Sequence, residues 1–344
     1  MQNIPKNLNI KSPPKPDYSN IYTSPNYQIK TFGECNQGTY VKIYIPEQPY
    51  YKNDHIPQAV IYLHGFALGA SEIYSTHLEH LVKQGYYVIY PNYQRGFCEF
   101  SGCLLKTILQ LSEEILHPFP ISPQTWINSA IQSAINAYQQ VNLFTQNVDT
   151  YLFGHSLGGL FALSWNYYAQ NQVPVNMLPK QIVVADPIPA SDSNIPAFVR
   201  SILNKVGGFK DQVNIQETGA SFNVPLAILH GNEDTVIPKQ DWVTPFNQFI
   251  ATNYKKMYLS FTDQHGYEPM YANHEQATID TSFFPDCLAE SVLDGVGREN
   301  NLNWRYIWYA LDQVIRFGAR ADELQFNMGS WSDGQPVKPI EVYL

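Results

Sequence analysis

The alternation of short apolar runs with segments of helix length constrains the fold of this chain most. Residues 59–63 and 86–90 are unbroken runs of Ala, Val, Ile, Leu and Tyr, typical of strands that are buried on both faces. The alternation continues with helices predicted over 122–141 and 157–169 and strands over 150–153, 181–185, 226–229 and 256–261. Strands that alternate with helices predict a parallel sheet built from right-handed crossovers.

The flanking segments complete a predicted α/β fold with a mostly parallel central sheet of about eight strands and helices on both faces. Residues 27–32 and 39–45 flank a glycine-bounded loop and predict an antiparallel pair. We expect three regions: an irregular N-terminal segment over 1–26, one domain over 27–320, and an irregular C-terminal tail over 321–344 that packs on the domain.

Two further helices are predicted from apolar spacing. One, over 302–317, lies near the end of the domain. The other, over 195–206, has a single apolar face and is followed by Gly207-Gly208. It lies in a candidate cap insertion over 187–224, and it serves either as a cap over a substrate pocket or as a plain cover for the sheet.

Composition excludes several classes of protein. The net charge of −9 repels phosphate backbones, so no nucleic-acid partner is expected, and 44% hydrophobic residues exclude general disorder. No apolar run reaches the length of a membrane span, so no stable membrane insertion is expected. The first twenty-five residues lack the apolar core of a signal peptide, and we expect a cytoplasmic protein of unknown oligomeric state. The four cysteines are expected to be free thiols, with a local Cys98–Cys103 pair as the alternative.

The segment from Gly154 to Gly159 reads Gly-His-Ser-Leu-Gly-Gly and joins a predicted strand to a predicted helix. In that context a Gly-x-Ser-x-Gly pattern indicates a nucleophile elbow, a sharp turn that exposes the serine above the sheet. The turn closes only if Gly154 and Gly158 carry no side chain. Ser156 is therefore the predicted nucleophile.

Stabilising the oxyanion of an acyl-transfer reaction takes two N–H donors, one after the nucleophile and one from an earlier loop. Leu157 follows the nucleophile, and His64-Gly65-Phe66 follows the strand over 59–63. The backbone N–H groups of Leu157 and Phe66 are the predicted donors.

An acid and a base are expected after two later strands. Asp234 is the predicted acid, with Asp186 and Glu233 as rivals. His265 is the predicted base because it follows the last strand and completes the chain order Ser, Asp, His; His274 is the substitute. The histidines show no metal-ligand grouping, so neither a metal nor a cofactor is predicted.

These motifs make the chain resemble the α/β-hydrolase superfamily, in particular its lipase and carboxylesterase branch, over roughly 27–317. The resemblance also uses residues 90–96, 231–234 and 264–266. It implies the α/β-hydrolase fold, with Ser156 as nucleophile, Asp234 as acid, His265 as base, and Phe66 and Leu157 as oxyanion donors. The first loop lacks the glycine run of the hormone-sensitive-lipase-like group, which makes that group a poorer match.

The expected function is that of a serine hydrolase that cleaves small apolar carboxylic esters through an acyl-enzyme on Ser156. Serine at the elbow argues against dehalogenase or epoxide hydrolase chemistry, which needs a carboxylate nucleophile there. A thioesterase or an acyltransferase would use the same residues. A noncatalytic ligand-binding protein with the same fold is the alternative from another class.

Overall fold

The computed structural model describes residues 9–52, 55–96, 98, 122–143, 146–193, 211–281, 295 and 297–344. Ten strands lie within this part of the chain. Their bounds are β1 Tyr27–Phe32, β2 Val41–Pro46, β3 Tyr51–Lys52, β4 Ile56–Leu63, β5 Tyr87–Pro91, β6 Asp149–His155, β7 Pro179–Ala185, β8 Leu226–Gly231, β9 Lys255–Ser260 and β10 Glu341–Val342.

The strands form one sheet in the order β1-β2-β5-β4-β6-β7-β8-β9-β10, with β3 paired to β4 outside this path. The six central strands run parallel to one another; in sheet order they are β5, β4, β6, β7, β8 and β9. The pairs β1–β2, β2–β5 and β9–β10 are antiparallel. The predicted mostly parallel sheet is confirmed, and two strands of only two residues, β3 and β10, bring the count above the expected eight.

Five α-helices accompany the described strands. They are α1 Ser75–Lys83, α2 Pro123–Gln140, α3 Leu157–Ala169, α4 Ile215–Thr218 and α5 Tyr309–Ile315. Short 3-10 turns occupy Cys35–Gln37, Ser71–Tyr74, Val175–Met177, Gly219–Ser221, Lys239–Trp242 and Ala321–Glu323, and π-helical turns occupy Pro245–Phe249 and Asn303–Trp308. None of the helices in these ranges has both the length and the hydrophobicity of a membrane-spanning helix.

Helix α2 shows how sequence fixes an element boundary. Ser122 is its N-cap, and the serine hydroxyl accepts a hydrogen bond from the Thr125 N–H at 3.1 Å. Pro123 occupies the first helical position, where a backbone N–H would have no acceptor within the helix. The missing N–H of proline therefore leaves the helix intact. The helix predicted over 302–317 is present as one continuous segment, in which a π-helical turn over Asn303–Trp308 leads directly into α5. The helix predicted over 195–206 lies outside the described residues.

Side chains of the central strands alternate between two apolar cores, one on each face of the sheet. Along β4, Ile61 and Leu63 pack with α2 and α3 on one face. Val60 and Tyr62 pack with α1 and α5 on the other. Because both faces carry apolar side chains, each needs a layer of helices to cover it. The prediction of helices on both faces is confirmed.

The cysteines differ from the expectation of free thiols. Cys35, just after β1, forms a disulfide with Cys98, which follows β5, and 63 positions of sequence separate them. The expected Cys98–Cys103 alternative is therefore wrong, because Cys98 already has a partner. Cys103 and Cys287 lie outside the described residues.

Candidate active site

Ser156 occupies a strained turn between two regular elements. Strand β6 ends at His155, helix α3 begins at Leu157, and Ser156 between them has φ 54° and ψ −118°. A positive φ is costly for a residue with a side chain and persists only where the surroundings impose it. A Cβ on Gly154 would lie 2.2 Å from the Gly158 carbonyl oxygen, and one on Gly158 would lie 2.2 Å from the Leu63 carbonyl oxygen. The glycines therefore permit the turn, as the motif predicts.

Ser156 is joined to a histidine and a carboxylate by two hydrogen bonds of 2.8 Å. One links the Ser156 hydroxyl to Nε2 of His274, and the other links Nδ1 of His274 to Oδ2 of Asp234. The second oxygen of Asp234 accepts the Ile237 N–H at 2.8 Å. All three side chains are buried. This geometry lets the imidazole take a proton from the hydroxyl while the carboxylate fixes its orientation.

The charges of this group are coupled. Burial opposes a charge on His274, but the negative charge of Asp234 and its hydrogen bond together raise the pKa of the imidazole above its ordinary value. Burial likewise acts to raise the pKa of Asp234, but the charge and hydrogen bond of His274, together with His230 and the Ile237 N–H, outweigh it and lower that pKa. The pair thus favours an imidazolium beside a carboxylate, the charge state that forms when a base accepts the serine proton.

His265 does not reach Ser156, and its expected position beside the nucleophile is corrected. Its Nε2 is 2.7 Å from Oδ2 of Asp333 in the C-terminal tail, and its ring packs edge-on against Trp331. The loop after β9 turns away from the site, and the chain returns nine positions later with His274 in contact with Ser156. The substitute named from the sequence, His274, therefore holds the position expected of His265.

Backbone contacts bring the chain back to the site. Asp263 and Met270 exchange two backbone hydrogen bonds of 2.9 Å, which closes the excursion that carries His265. The carbonyl of Ala272 then accepts the Glu233 N–H at 2.9 Å, two residues before His274. A Cβ on Gly231 would lie 2.4 Å from that carbonyl oxygen. The glycine permits this approach, but only the folded chain reveals which loop residue comes close.

The loop expected to supply an oxyanion donor lies against the nucleophile. A Cβ on Gly65 would lie 3.4 Å from the Cβ of Ser156. Ala67 has φ 60°, and its N–H donates to Oε1 of Gln94 at 2.7 Å. The Tyr93 hydroxyl donates to the His64 carbonyl, and the two rings stack 4.0 Å apart. Tyr93 and Gln94, in the loop after β5, therefore hold the loop that contains His64 and Ala67 in place.

Leu157 is the first residue of α3, so its N–H has no acceptor within the helix. The N–H of Ser156 donates to the Ala185 carbonyl at 3.0 Å and is already used. Leu157 and Phe66 remain the predicted oxyanion donors, and the positive end of α3 adds to the potential at this point.

Asp186, the rival acid, does not contact the imidazole of His274 within the described hydrogen bonds. Its carboxylate accepts the Gly231 N–H at 2.7 Å and the Gln276 side-chain amide at 3.0 Å. Burial, reinforced by the charge of Asp234, raises the pKa of Asp186 well above its ordinary value. The second rival, Glu233, contributes its backbone N–H to the Ala272 carbonyl.

Asp186, His230 and Asp234 are close enough to be considered as metal ligands, and all three are buried. Most of their ligand atoms already have other roles, and Nδ1 of His230 is the exception, with no hydrogen-bond partner among the described residues. The two oxygens of Asp234 bind Ile237 and His274, and Nε2 of His230 donates to the Ile237 carbonyl at 2.9 Å. We therefore interpret this cluster as hydrogen-bonded support for the acid.

Comparison with known proteins concerns the fold. No protein-family model and no curated protein matches the chain. Three solved structures illustrate the structural likeness. TT1662 from Thermus thermophilus is 16% identical, with a TM-score of 0.43 and coverage of 70% of this chain and 90% of that one. A monoacylglycerol lipase from Paleococcus ferrophilus is 14% identical, with a TM-score of 0.40 and coverage of 73% and 91%. The esterase PF2001 from Pyrococcus furiosus is 14% identical, with a TM-score of 0.43 and coverage of 74% and 89%.

The strand order and the elbow together define the class of fold. A mostly parallel sheet carries Ser156 at a strand-to-helix turn, and the polar partners follow in the chain order Ser, Asp, His. The chain has an α/β-hydrolase-like fold.

Proposed function

We propose that this protein is a serine hydrolase that cleaves carboxylic esters, with Ser156 as nucleophile, His274 as general base and Asp234 as the acid that orients it. The hydrogen bond of 2.8 Å between the Ser156 hydroxyl and Nε2 of His274 carries the proposal. An alcohol is a poor nucleophile at neutral pH, and a base in hydrogen-bond contact is the common way to activate it.

The proposed reaction has two halves. Ser156 attacks the ester carbonyl while His274 takes the hydroxyl proton, and the N–H groups of Leu157 and Phe66 stabilise the oxyanion. His274 then gives the proton to the leaving alcohol, which leaves an acyl group on Ser156. Water then attacks the acyl carbon while His274 takes its proton; the bond from the acyl carbon to the Ser156 oxygen breaks, His274 returns the proton to Ser156, and the acid leaves.

A small apolar ester is the proposed substrate. Phe66 is only partly buried and belongs to the loop that contacts Ser156 through Gly65, with its ring centroid 5.9 Å from that of Trp126. Aromatic side chains beside a nucleophile favour an apolar group on the substrate. Cleavage of thioesters, and acyl transfer to an alcohol in place of water, would use the same residues, and a substrate panel with competing alcohols compares them.

The test is covalent labelling with a fluorophosphonate, together with turnover of p-nitrophenyl esters. Wild-type protein is expected to be labelled on Ser156, and Ser156→Ala should lose both labelling and turnover. Ser164→Ala is the matched control, because Ser164 is a buried serine on α3 whose hydroxyl pairs with Thr218. Turnover that survives in Ser156→Ala would contradict the proposal, and tight ligand binding without labelling would favour a binding protein.

The location of the protein is proposed separately. The cytoplasm was expected from the sequence, but a disulfide such as Cys35–Cys98 is typical of an oxidising compartment. We propose that the protein works in such a compartment. Counting free thiols in the denatured protein, before and after reduction, tests the disulfide on which this proposal rests: a count that does not rise on reduction would remove its basis.

A further inference from the structure

Three buried hydrogen bonds form a continuous chain behind Ser156. The Gly65 N–H donates to the Tyr74 hydroxyl at 3.1 Å, and that hydroxyl is 2.8 Å from Nδ1 of His155. Nε2 of His155 is 2.8 Å from the backbone carbonyl of His274. Tyr74 and His155 have no solvent exposure. The chain thus begins in the loop expected to bind the oxyanion and ends on the backbone of the proposed base.

Chemistry fixes the direction of each bond. A carbonyl only accepts, so Nε2 of His155 carries the proton that bonds to His274. Burial, followed by the charge of His274, lowers the pKa of His155 to about 3, so the ring is neutral and its Nδ1 accepts. The Tyr74 hydroxyl therefore donates to His155 and accepts from Gly65. The Tyr74 hydroxyl and both ring nitrogens of His155 are therefore used, and a single arrangement of protons satisfies all three hydrogen bonds.

We propose that Tyr74 and His155 are positioning residues, which hold the oxyanion loop and the His274 backbone in register on either side of Ser156; this inference rests on the proposed function. Gly65 directly precedes Phe66, so fixing the Gly65 N–H orients the peptide next to the expected oxyanion donor. The hydrogen bond to the His274 carbonyl fixes the backbone from which the imidazole reaches Ser156.

The energetic reason is the sensitivity of catalysis to small displacements. A shift of about 1 Å between reacting groups costs roughly a hundredfold in rate. The segment before His274 is a loop held by backbone contacts, so it needs a fixed point close to the imidazole. His155 supplies one because it is the last residue of β6 and directly precedes the nucleophile.

A matched pair elsewhere in the core provides the control. The Tyr62 hydroxyl lies 3.1 Å from Nδ1 of His77, and both side chains are buried. This pair resembles Tyr74–His155 in chemistry and burial, but its described hydrogen bonds do not reach the site. Tyr62→Phe therefore removes a similar hydrogen bond from the same core.

The first experiment compares Tyr74→Phe with Tyr62→Phe in ester turnover and thermal unfolding. We expect Tyr74→Phe to lower kcat about tenfold or more with little change in KM, because misaligned groups slow the reaction of a bound substrate. Tyr62→Phe should keep kcat within about twofold of wild type. Its Tm should fall by about as much as that of Tyr74→Phe, because each variant removes one buried hydrogen bond. Equal kcat values for the two variants would overturn the inference.

The second experiment separates the two ends of the chain and does not depend on Tyr74→Phe folding. In His155→Asn the amide occupies the Nδ1 position and cannot reach the His274 carbonyl, whereas the longer amide of His155→Gln can donate to it. We expect His155→Gln to recover about tenfold of the kcat that His155→Asn loses. The pH at half-maximal activity should stay unchanged in both, because Asp234 still faces His274. Equal loss in the two variants, or loss in neither, would contradict the assignment.

Failure of this inference is distinguishable from failure of the proposed function. If wild-type protein is neither labelled by a fluorophosphonate nor active on esters, the proposed function fails. If wild-type protein is labelled and active while the Tyr74 and His155 variants match it, only the positioning role fails.

Discussion

The elbow that carries Ser156 is one continuous turn, Gly154–Gly159, packed against neighbouring strands, whereas the segment that carries His274 is held by contacts that extend to both ends of the described chain. At the elbow, strand β6, one strained residue and helix α3 follow each other directly. The loop after β9 instead contacts both termini: Tyr267 pairs with Ile10 and Ser12, and Asp263 accepts from Trp331 and Lys338. The hydrogen bond between Ser156 and His274 thus joins a turn of consecutive residues to a loop that distant contacts hold in place.

The difference teaches where each half of the site is vulnerable. The elbow is enclosed by backbone, since the carbonyls of Leu63 and Gly158 leave no room for a side chain on its glycines. The His274 segment is held by hydrogen bonds that extend to the surface. We expect damage to the elbow to appear first as lost stability, and damage to the Gly231–Ala272 contact beside His274 to appear first as lost activity.

The largest effect should come from the acid that orients His274. Asp234→Asn is expected to lower kcat about 10³-fold to 10⁴-fold, because an amide favours the wrong tautomer and does not stabilise the imidazolium. Asp186→Asn is the matched control, and we expect less than about a tenfold change, since its described hydrogen bonds go to Gly231 and Gln276. Steady-state kinetics on a p-nitrophenyl ester measures both. A greater loss in Asp186→Asn would reverse the assignment of the acid.

Two glycine variants test the comparison itself. Gly158→Ala places a Cβ 2.2 Å from the Leu63 carbonyl oxygen, and we expect the free energy of unfolding to fall by about 3 kcal/mol. Gly231→Ala places a Cβ 2.4 Å from the Ala272 carbonyl oxygen, where a loop can move. We expect a loss of about 1 kcal/mol there, with kcat lowered by roughly a hundredfold as His274 shifts. Denaturant unfolding and kinetics on both variants measure this, and the reverse pattern would refute the comparison.

The pH dependence reports on the same pair. A base must be neutral to accept the Ser156 proton, so kcat/KM should fall as the pH drops through the pKa of His274. Asp234 raises that pKa, so the half-maximal pH should lie above the ordinary histidine value of about 6.5. In Asp234→Asn the charge is gone and burial remains, so the residual activity should reach half-maximum at lower pH. A profile that is flat from pH 5 to 8 would contradict the role of His274.

The smallest effect should come from the contacts between the loop and the tail. The Asp263 carboxylate accepts from the Trp331 indole at 3.1 Å and from the Lys338 N–H at 3.0 Å. Asp263→Ala removes the Oδ2 that accepts both hydrogen bonds and the Oδ1 that accepts the His265 N–H, and we expect a loss of about 1–3 kcal/mol in stability. The accompanying loss in kcat should be only severalfold, because the Ala272 contact nearer the site remains. Faster hydrogen exchange confined to the loop would support this, whereas unchanged exchange there would oppose it.

Local sequence patterns predicted the elements and the elbow because the responsible residues are neighbours in the chain. The bounds of α3 agree with the prediction, and those of β1 agree as well. Gly154 lacks a side chain because the Gly158 carbonyl of the same turn lies against it, whereas Gly158 makes room for the Leu63 carbonyl at the end of β4.

The base and the disulfide depended on contacts that the sequence does not display. His265-Gly266 has the expected position after a strand, and only the pairing of Asp263 with Met270 shows that this loop turns away. Likewise, nothing in the spacing of four cysteines indicates that Cys35 meets Cys98 across 63 positions. Tertiary packing decided both.

The rate at which a fluorophosphonate labels Ser156 in His274→Ala and in His265→Ala tests the central claim most directly. Activation by His274 predicts that His274→Ala is labelled at least about 10³-fold more slowly than wild type. His265→Ala should be labelled at nearly the wild-type rate, because the imidazole that it removes bonds to Asp333 and not to Ser156. Slow labelling of His265→Ala together with normal labelling of His274→Ala would contradict the account.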